Sequence, residues 1–409
     1  MNKRITDELK RLLNGPNEKR IIRYIIRNEE VSRTEISKAL SVSMSTVTNV
    51  TEKLLRKDLI RECGVQKLER GRSIKLLQIN EERFKSIGVG INAICVSINL
   101  IDLRGKTYFN RKIALDKTSW KKNYENIITL IDQMAAENPE FINDILGIGI
   151  APPGFIAFEM HNLDKKFDFE DDWNIDDIIN LLEENYDFGA TSESSFSCIL
   201  SGESFFGKAK DFNNVIFVNV SSGGIGWAKI ENKVLDRKVS KDYHSLGHHV
   251  ININGPLCSC SQHGCVEMYT GRDALVNTYI ELVSRDEEYN TLYSSKDALQ
   301  QIDYHKVLEL AETGDYNAVQ SVSKAATILS TALVNVASLM HPDLFVLSGQ
   351  VVRSSSLFFS IVQKITNVKL KTLTGNEVEI TDRVVEVNTS SVGAATLVFE
   401  QIFLEGNTI

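Results

Sequence analysis

Apolar residues recur at helical spacing near the start of the chain: Ile21, Ile22, Ile25 and Ile26 share one face of a segment from Glu18 to Asn28. Ser32 then precedes Arg33, Thr34 and Glu35, which places a serine at a helix cap and a glutamate three residues on, a capping box. The helix it opens carries Ile36, Ala39 and Leu40 on one face. After the short turn Ser41-Val42, Ser43 can cap a third helix with Val47, Val50, Leu54 and Leu55 on its apolar face. The opposite face shows Ser45, Thr46, Thr48, Asn49 and Lys53, small polar groups suited to a major groove. Two short helices, a tight turn and a polar-faced second helix predict a helix-turn-helix. The period then changes to two. Leu59–Cys63 and Ile74–Ile79 alternate as strands around a basic loop, Lys67–Arg72, which predicts a wing. Its Arg70-Gly71-Arg72 tip has the form of a minor-groove hook, a flat glycine between two guanidiniums.

From Ser86 onward Ile87, Val89 and Ile91, then Ile94, Val96, Ile98 and Leu100, alternate with small or polar residues. Asp102-Leu103-Arg104-Gly105 has the composition of a hairpin turn. Ile145–Ile150 reads as a buried strand that ends in Ala151-Pro152-Pro153-Gly154. A helix is predicted around Ile175–Asn185, and a strand over Val215–Val220 runs into a glycine turn at Gly223–Gly226 followed by Trp227. A long helix over about Val319–Met340 stops before His341-Pro342, and Phe345–Leu347 continues as a strand into Ser348-Gly349. Strands alternating with helices predict an α/β body.

Charge divides the chain at the same place as the change of pattern. Residues 1–80 hold 18 Lys and Arg against 10 Asp and Glu, a net +8, which leaves 28 bases against 44 acids, a net −16, for the rest. A basic head on an acidic body is the footprint of a nucleic-acid-binding module attached to something else. No run reads as long and apolar enough to span a membrane. The amphipathic opening MNKRITDELKRLL carries acids, unlike a signal or transit peptide.

Three of the six cysteines fall within residues 258–265, on a Gly/Pro-containing loop with histidines just upstream. Thiolates at that density beside an imidazole suit a closed tetrahedral Zn²⁺ site. The candidate ligands are His248, Cys258, Cys260 and Cys265, and on spacing alone His249 and His263 compete for the histidine position. Cys63, Cys95 and Cys198 are scattered, which fits a reducing cytoplasm better than a disulfide framework.

These motifs together resemble the ROK family (repressor, open reading frame, kinase), in the repressor branch with an N-terminal winged helix to which N-acetylglucosamine and xylose repressors belong. The resemblance rests on Leu246-Gly247-His248, Cys258-Ser259-Cys260 and Gly264-Cys265-Val266-Glu267, with ten residues from His248 to Cys258 as in that branch. Gly147-Ile148-Gly149, Gly224-Ile225-Gly226, the run from Asp343 to Gly349, Gly393-Ala394-Ala395 and Leu77-Gln78-Ile79-Asn80 follow in the family's order. The resemblance implies a winged helix-turn-helix over 1–82 and a two-lobed actin/hexokinase-like body over 83–409. Lobe 1 would cover about 83–193 plus 390–409, and lobe 2 about 194–389. It also implies a homodimer or homotetramer.

Against the family's kinases, the chain departs at informative places. The Asn-Asp pair that carries the general base falls at Ser194-Ser195, and serine has no usable basicity at neutral pH. The first phosphate loop falls at Gly90-Ile91-Asn92-Ala93-Ile94, where the paired glycines are lost and Ile94 opposes close approach of a phosphate. Trp227 is expected to crowd a nucleotide. In the sugar pocket a glutamate becomes Ser245, while His248 and Glu267 remain. Ser194, Ser195, Ser245, His248 and Glu267 are therefore the candidate effector contacts. The expectation is a cytoplasmic transcriptional repressor of carbohydrate-related genes and not an enzyme. Its body would be catalytically degenerate and its zinc structural. DNA contacts would come from Ser43, Ser45, Thr46, Thr48, Asn49, Lys53, Arg70 and Arg72. Its partners would be a pseudo-palindromic double-stranded operator and a sugar or sugar-derivative effector, with no membrane. The alternatives are a ligand-blind regulator governed by a partner protein and a ROK sugar kinase.

Overall fold

The computed structural model describes residues 2–28, 30–67, 73–153, 173–221, 224–239, 242, 244–285, 302–382 and 390–404. These form two compact units. The first holds the described residues up to Pro153, those from 173 to Lys210, and those from 390 onward; the second runs from Asp211 to 382.

The first unit opens with α1 (Asn2–Leu12) and α2 (Pro16–Arg27), the latter with proline where its missing N–H costs nothing. The capping box forms as expected before α3 (Arg33–Leu40): Ser32 Oγ accepts from the Glu35 amide at 3.2 Å, and Glu35 Oε2 accepts from the Ser32 amide at 2.7 Å. Ser41, in the left-handed region at φ 53°, ends α3, and Ser43 caps α4 (Met44–Arg56). Ile36 is the buried residue of α3; Ala39, expected beside it, is exposed because α2 and α4 meet the Ile36 side. Strands β1 (Val31–Ser32), β2 (Ile60–Lys67) and β3 (Ser73–Ile79) pair antiparallel in the order β1-β3-β2. This is the predicted winged helix-turn-helix.

The same unit continues into a sheet of β4 (Lys85–Ile91), β5 (Cys95–Asp102), β6 (Thr107–Ala114), β7 (Ile145–Ala151) and β8 (Ala190–Ser192), in the order β6-β5-β4-β7-β8. It carries α5 (Trp120–Glu137), α6 (Ile175–Asn185), α7 (Ser195–Phe206) and the C-terminal α14 (Ser390–Phe399). β4 and β7 are buried along their whole length. α14 lies directly on them: a Cβ at Gly149 would stand 1.7 Å from the Ala394 carbonyl oxygen, so that glycine is needed for the close approach of helix to sheet. α7 packs on α14 and so belongs to this unit, which moves the expected lobe boundary at 194 to about 210.

The second unit is built on β9 (Val215–Ser221), β10 (Gly224–Glu231), β11 (Val234–Leu235), β12 (Leu344–Ser348) and β13 (Glu379–Thr381), ordered β11-β10-β9-β12-β13. Numbered within each five-stranded sheet, both read 3-2-1-4-5. The helices here are α8 (Glu267–Thr270), α9 (Arg272–Arg285), α10 (Tyr304–Glu312), α11 (Tyr316–Met340), α12 (Gln350–Ser354) and α13 (Ser356–Thr374). The expectation of no membrane-length apolar run is corrected by α11, whose 25 residues are long and apolar enough to cross a bilayer. Val322, Ala325, Ala326, Leu329 and Leu333 of α11 lie in the core among α9, α10 and α13, so packing within the unit accounts for its hydropathy.

Candidate nucleic-acid interface and candidate metal centre

In the winged helix, Val47, Val50, Thr51 and Leu54 turn the inner face of α4 into the core. Ser45 and Asn49 stand exposed on the outer face, Thr46 and Thr48 are half-buried, and Ser43 is exposed at the cap. Several hydroxyls already serve the helix. Ser43 Oγ accepts from the Thr46 amide at 3.2 Å and lies 2.8 Å from Thr46 Oγ1, while Thr48 Oγ1 donates to the Met44 carbonyl at 2.8 Å. Lys53 reaches Glu18 at 3.5 Å, which leaves part of its charge committed. Ser45 Oγ also lies 3.0 Å from Ser43 Oγ, so the exposed side chain least committed to the helix is Asn49. Glu52 and Arg56 also stand exposed on this helix. Sequence reading passed over them, although they extend the 45, 49 series by helical spacing. Arg70 and Arg72 lie outside the described residues.

The loop after the turn Ser245–His248 is held by its own backbone. The Ile251 amide donates to the Gly264 carbonyl at 2.9 Å, Gly264 N–H to Pro256 O at 2.8 Å, and Cys258 N–H to Gln262 O at 2.8 Å. Gly264 sits at φ +70°, and a Cβ there would meet the Asn252 carbonyl oxygen at 1.7 Å, so only glycine closes the loop. The loop brings His248, Cys258, Cys260 and Cys265 together, with one donor atom from each and all four within 4.8 Å of one another. Cys258 Sγ is 3.5 Å from His248 Nδ1, and Cys260 Sγ is 3.5 Å from Cys265 Sγ. A tetrahedral Zn²⁺ with bonds of about 2.0–2.3 Å requires edges of about 3.5–3.8 Å, so donor chemistry and spacing both fit. His249 is exposed, His263 is exposed with Nδ1 donating to the Gly255 carbonyl at 3.0 Å, and neither belongs to the group.

Glu267, at the start of α8, backs this cluster. Its Oε1 lies 3.2 Å from His248 Nδ1 and accepts from Cys258 Sγ at 2.9 Å. The hydrogen bond with Glu267 lifts the His248 imidazole against the opposite push of burial. Burial pushes the Glu267 carboxyl up, but the bonds from His248 and Cys258 hold it below its ordinary value. Burial raises the Cys258 and Cys265 thiols; for Cys260 burial acts the same way, yet the Gln262 amide and the neighbouring thiols outweigh it and lower the thiol. Thiols that resist ionisation on their own need the counter-charge of a cation to become thiolates.

Comparison with known proteins bears on the winged helix and on the body that follows it. A family model described as winged helix-turn-helix DNA-binding matches residues 16–61, and the ROK family model matches residues 86–401. The chain belongs to the ROK family. The xylose repressor of Bacillus spizizenii is 25% identical over 384 residues, covering 94% of this chain and 95% of its own. A crystal structure of a ROK family transcriptional regulator, described as a homologue of the E. coli MLC protein, superposes with a TM-score of 0.74 at 18% identity over 96% of this chain and 98% of its own. A ROK family glucokinase from Streptomyces griseus, solved with glucose and AMPPNP, gives 0.56 at 23% identity over 76% of this chain and 98% of its own. The fold is thus a winged helix-turn-helix followed by an actin/hexokinase-like ROK body, and the repeated 3-2-1-4-5 sheets are its two lobes.

The positions where this ROK chain departs from the kinase pattern have structural roles of their own. Ser194 caps α7, accepting from the Ser197 amide at 3.2 Å and donating to Ser197 Oγ at 3.0 Å, and half-buried Ser195 follows as the first residue of that helix. At the phosphate-loop position, Asn92 Oδ1 accepts from the amides of Ile94 at 2.8 Å and Cys95 at 2.9 Å. β5 accordingly begins at Cys95, not at Ile94 as expected, and Ile94 is 78% exposed. It is the Asn92 carboxamide, more than the Ile94 side chain, that fills this turn. Trp227, expected to crowd a nucleotide, is instead buried in the core of the second unit. Ser245 and Trp227 are bonded to each other, His248 and Glu267 touch, and Ser194 and Ser195 belong to the other unit.

Proposed function

We propose that this chain is a DNA-binding transcriptional repressor of sugar-related genes whose ROK body senses an effector and does not phosphorylate it. The observation that carries the reading is the Ser43-capped α4, with Ser45 and Asn49 exposed, set in a winged helix-turn-helix that precedes a ROK body. A relative similar over almost the whole chain bears the name xylose repressor, which supports the sugar connection. Two copies related by a twofold axis would read a pseudo-palindromic operator, α4 in the major groove and Arg70 and Arg72 in the adjacent minor groove. The protein would act in the cytoplasm, where DNA and a reducing milieu are both found.

Catalytic degeneracy is supported by two features. A serine replaces the general base at 195, and an internal carboxamide takes the amides that a phosphate would need at 92–95. His248, Cys258, Cys260 and Cys265 would hold one structural Zn²⁺, and Glu267, whose Oε1 lies against both His248 Nδ1 and Cys258 Sγ, borders the ligand set on its donor side. Zinc would fix the loop at the side of the second lobe that carries Ser245, His248 and Glu267, the candidate effector contacts.

A second reading, control by a partner protein, is favoured by apolar surface on the same loop: Ile253 is 79% and Leu257 62% exposed. Thermal melting of the full chain with a panel of pentoses, hexoses, N-acetylhexosamines and their phosphates separates the two. Stabilisation that grows with concentration supports the sensor, whereas none across the panel removes it in favour of the partner-controlled regulator.

A further inference from the structure

The first and last described segments of the chain meet in the first unit. α1 lies against β7, where Thr6 Oγ1 donates to the Leu146 carbonyl at 2.9 Å. α2 packs on the turn Glu400–Leu404, the π-helical end of α14. Ile402 and Phe403 of that turn share one buried apolar cluster with Ile21, Ile22 and Ile25 of the head and Leu146 of the sheet. Two ion pairs brace the same region: Lys57, at the end of α4, pairs with Glu8 of α1, and Arg83, just past β3, pairs with Asp144. The head is therefore not carried on a loose tether.

Glu400 is the informative residue of this joint. It is buried, and it opens the turn on which α2 packs. A winged helix needs only its own apolar core to fold. A carboxylate buried against it from the far end of the chain costs desolvation, and what such a group supplies is a defined geometry. We infer that Glu400 and Thr6 are positioning residues for DNA recognition: they hold the winged helix in one orientation on the first sheet, so that the body sets the half-site spacing a dimer accepts. The inference rests on the dimeric repressor reading above. Two heads held at a fixed separation present each other to the second half-site at a high effective concentration, which loosening the joint dilutes.

The test uses the full chain, unmodified and as Glu400→Gln and Thr6→Val. The probe is a duplex enriched by the unmodified protein from a random-sequence pool. It is compared with a single half-site cut from that duplex and with versions whose half-sites are moved apart by one and by three base pairs. Each substitution is expected to weaken binding to the intact duplex about tenfold, leave single-half-site affinity within about twofold, and flatten the spacing preference. Amide exchange should quicken in α1 and α2 and stay unchanged in α11. An unaltered spacing preference in both variants overturns the inference, as does an equal loss of half-site and full-site affinity. If the unmodified protein enriches no duplex, the DNA reading itself fails. The exchange measurement then stands alone, and unchanged exchange in α1 and α2 rules out the joint.

Discussion

The indole N–H of Trp227 donates to the hydroxyl oxygen of Ser245 at 3.0 Å, with the Asp242 carbonyl a second acceptor at 3.3 Å. Two departures from the kinase pattern, a tryptophan after the glycine turn and a serine for a glutamate, are thus one interaction. A glutamate side chain is larger than the serine seated against the buried ring. The serine therefore bonds the indole and ties the turn that leads into His248. Ser245→Ala should cost the second lobe about 1 kcal/mol, the usual net worth of such a bond. Chemical denaturation followed by tryptophan fluorescence, with Trp120 and Trp173 replaced by phenylalanine so that Trp227 alone reports, will show it as a lower midpoint; an unchanged midpoint would mean that the bond to Asp242 suffices.

The metal prediction concerns content. The purified protein should carry about one Zn²⁺ per chain, and Cys260→Ala should carry little. Glu267→Gln should keep the metal but hold it more weakly, because a negative charge beside the cation and its ligands is removed. Bound zinc should also fall as the pH is lowered, since protons compete for the thiolates and imidazole. Metal analysis of dialysed samples decides each point, and full occupancy in Cys260→Ala would bring His249 or His263 into the ligand set.

Operator binding should weaken steeply with salt, because a head of net charge +8 must displace condensed counterions. Asn49→Ala should change base preference at major-groove positions, whereas Arg70→Ala or Arg72→Ala should weaken binding most at A·T-rich flanks. Electrophoretic titrations on matched duplexes with A·T-rich and G·C-rich flanks separate the two. An Asn49→Ala protein with wild-type affinity and preference would displace α4 from the groove.

No sugar kinase activity is expected with ATP on glucose, mannose, fructose or N-acetylated hexosamines. Ser195→Asp alone should not create it, because the Asn92 carboxamide still takes the amides of Ile94 and Cys95. A coupled assay for ADP release provides the measurement. Sugar-dependent turnover that disappears on mutating the cleft residues would restore the kinase reading.

Much of this was legible in one dimension. The capping box at Ser32 and Glu35, the cap at Ser43, the helix at 175–185 and the polar face of α4 all follow from contacts within four residues. Periodicity and capping report such contacts directly. The four residues of the candidate metal centre were legible too, since cysteine density on a short loop is a local signal. The choice of His248 over His249 and His263 was not, because it depends on how Gly264 folds the loop back over Asn252.

What only the tertiary structure decided are the contacts between distant parts of the chain. Sequence reading placed Trp227 toward a nucleotide and Ile94 in a phosphate's path; packing placed the indole in the core and gave the turn to Asn92. It assigned the segment after 194 to the second lobe, but α7 packs on α14, almost two hundred residues on, and joins the first. It treated the head as a separate domain, yet Thr6 bonds the Leu146 carbonyl of the first sheet, and Ile21 and Phe403 share one apolar cluster. The amino-acid order determined the local elements and the donor chemistry, because those depend on neighbours along the chain. Which surfaces those elements share depends on burial against residues far away in sequence, and no local pattern encodes that.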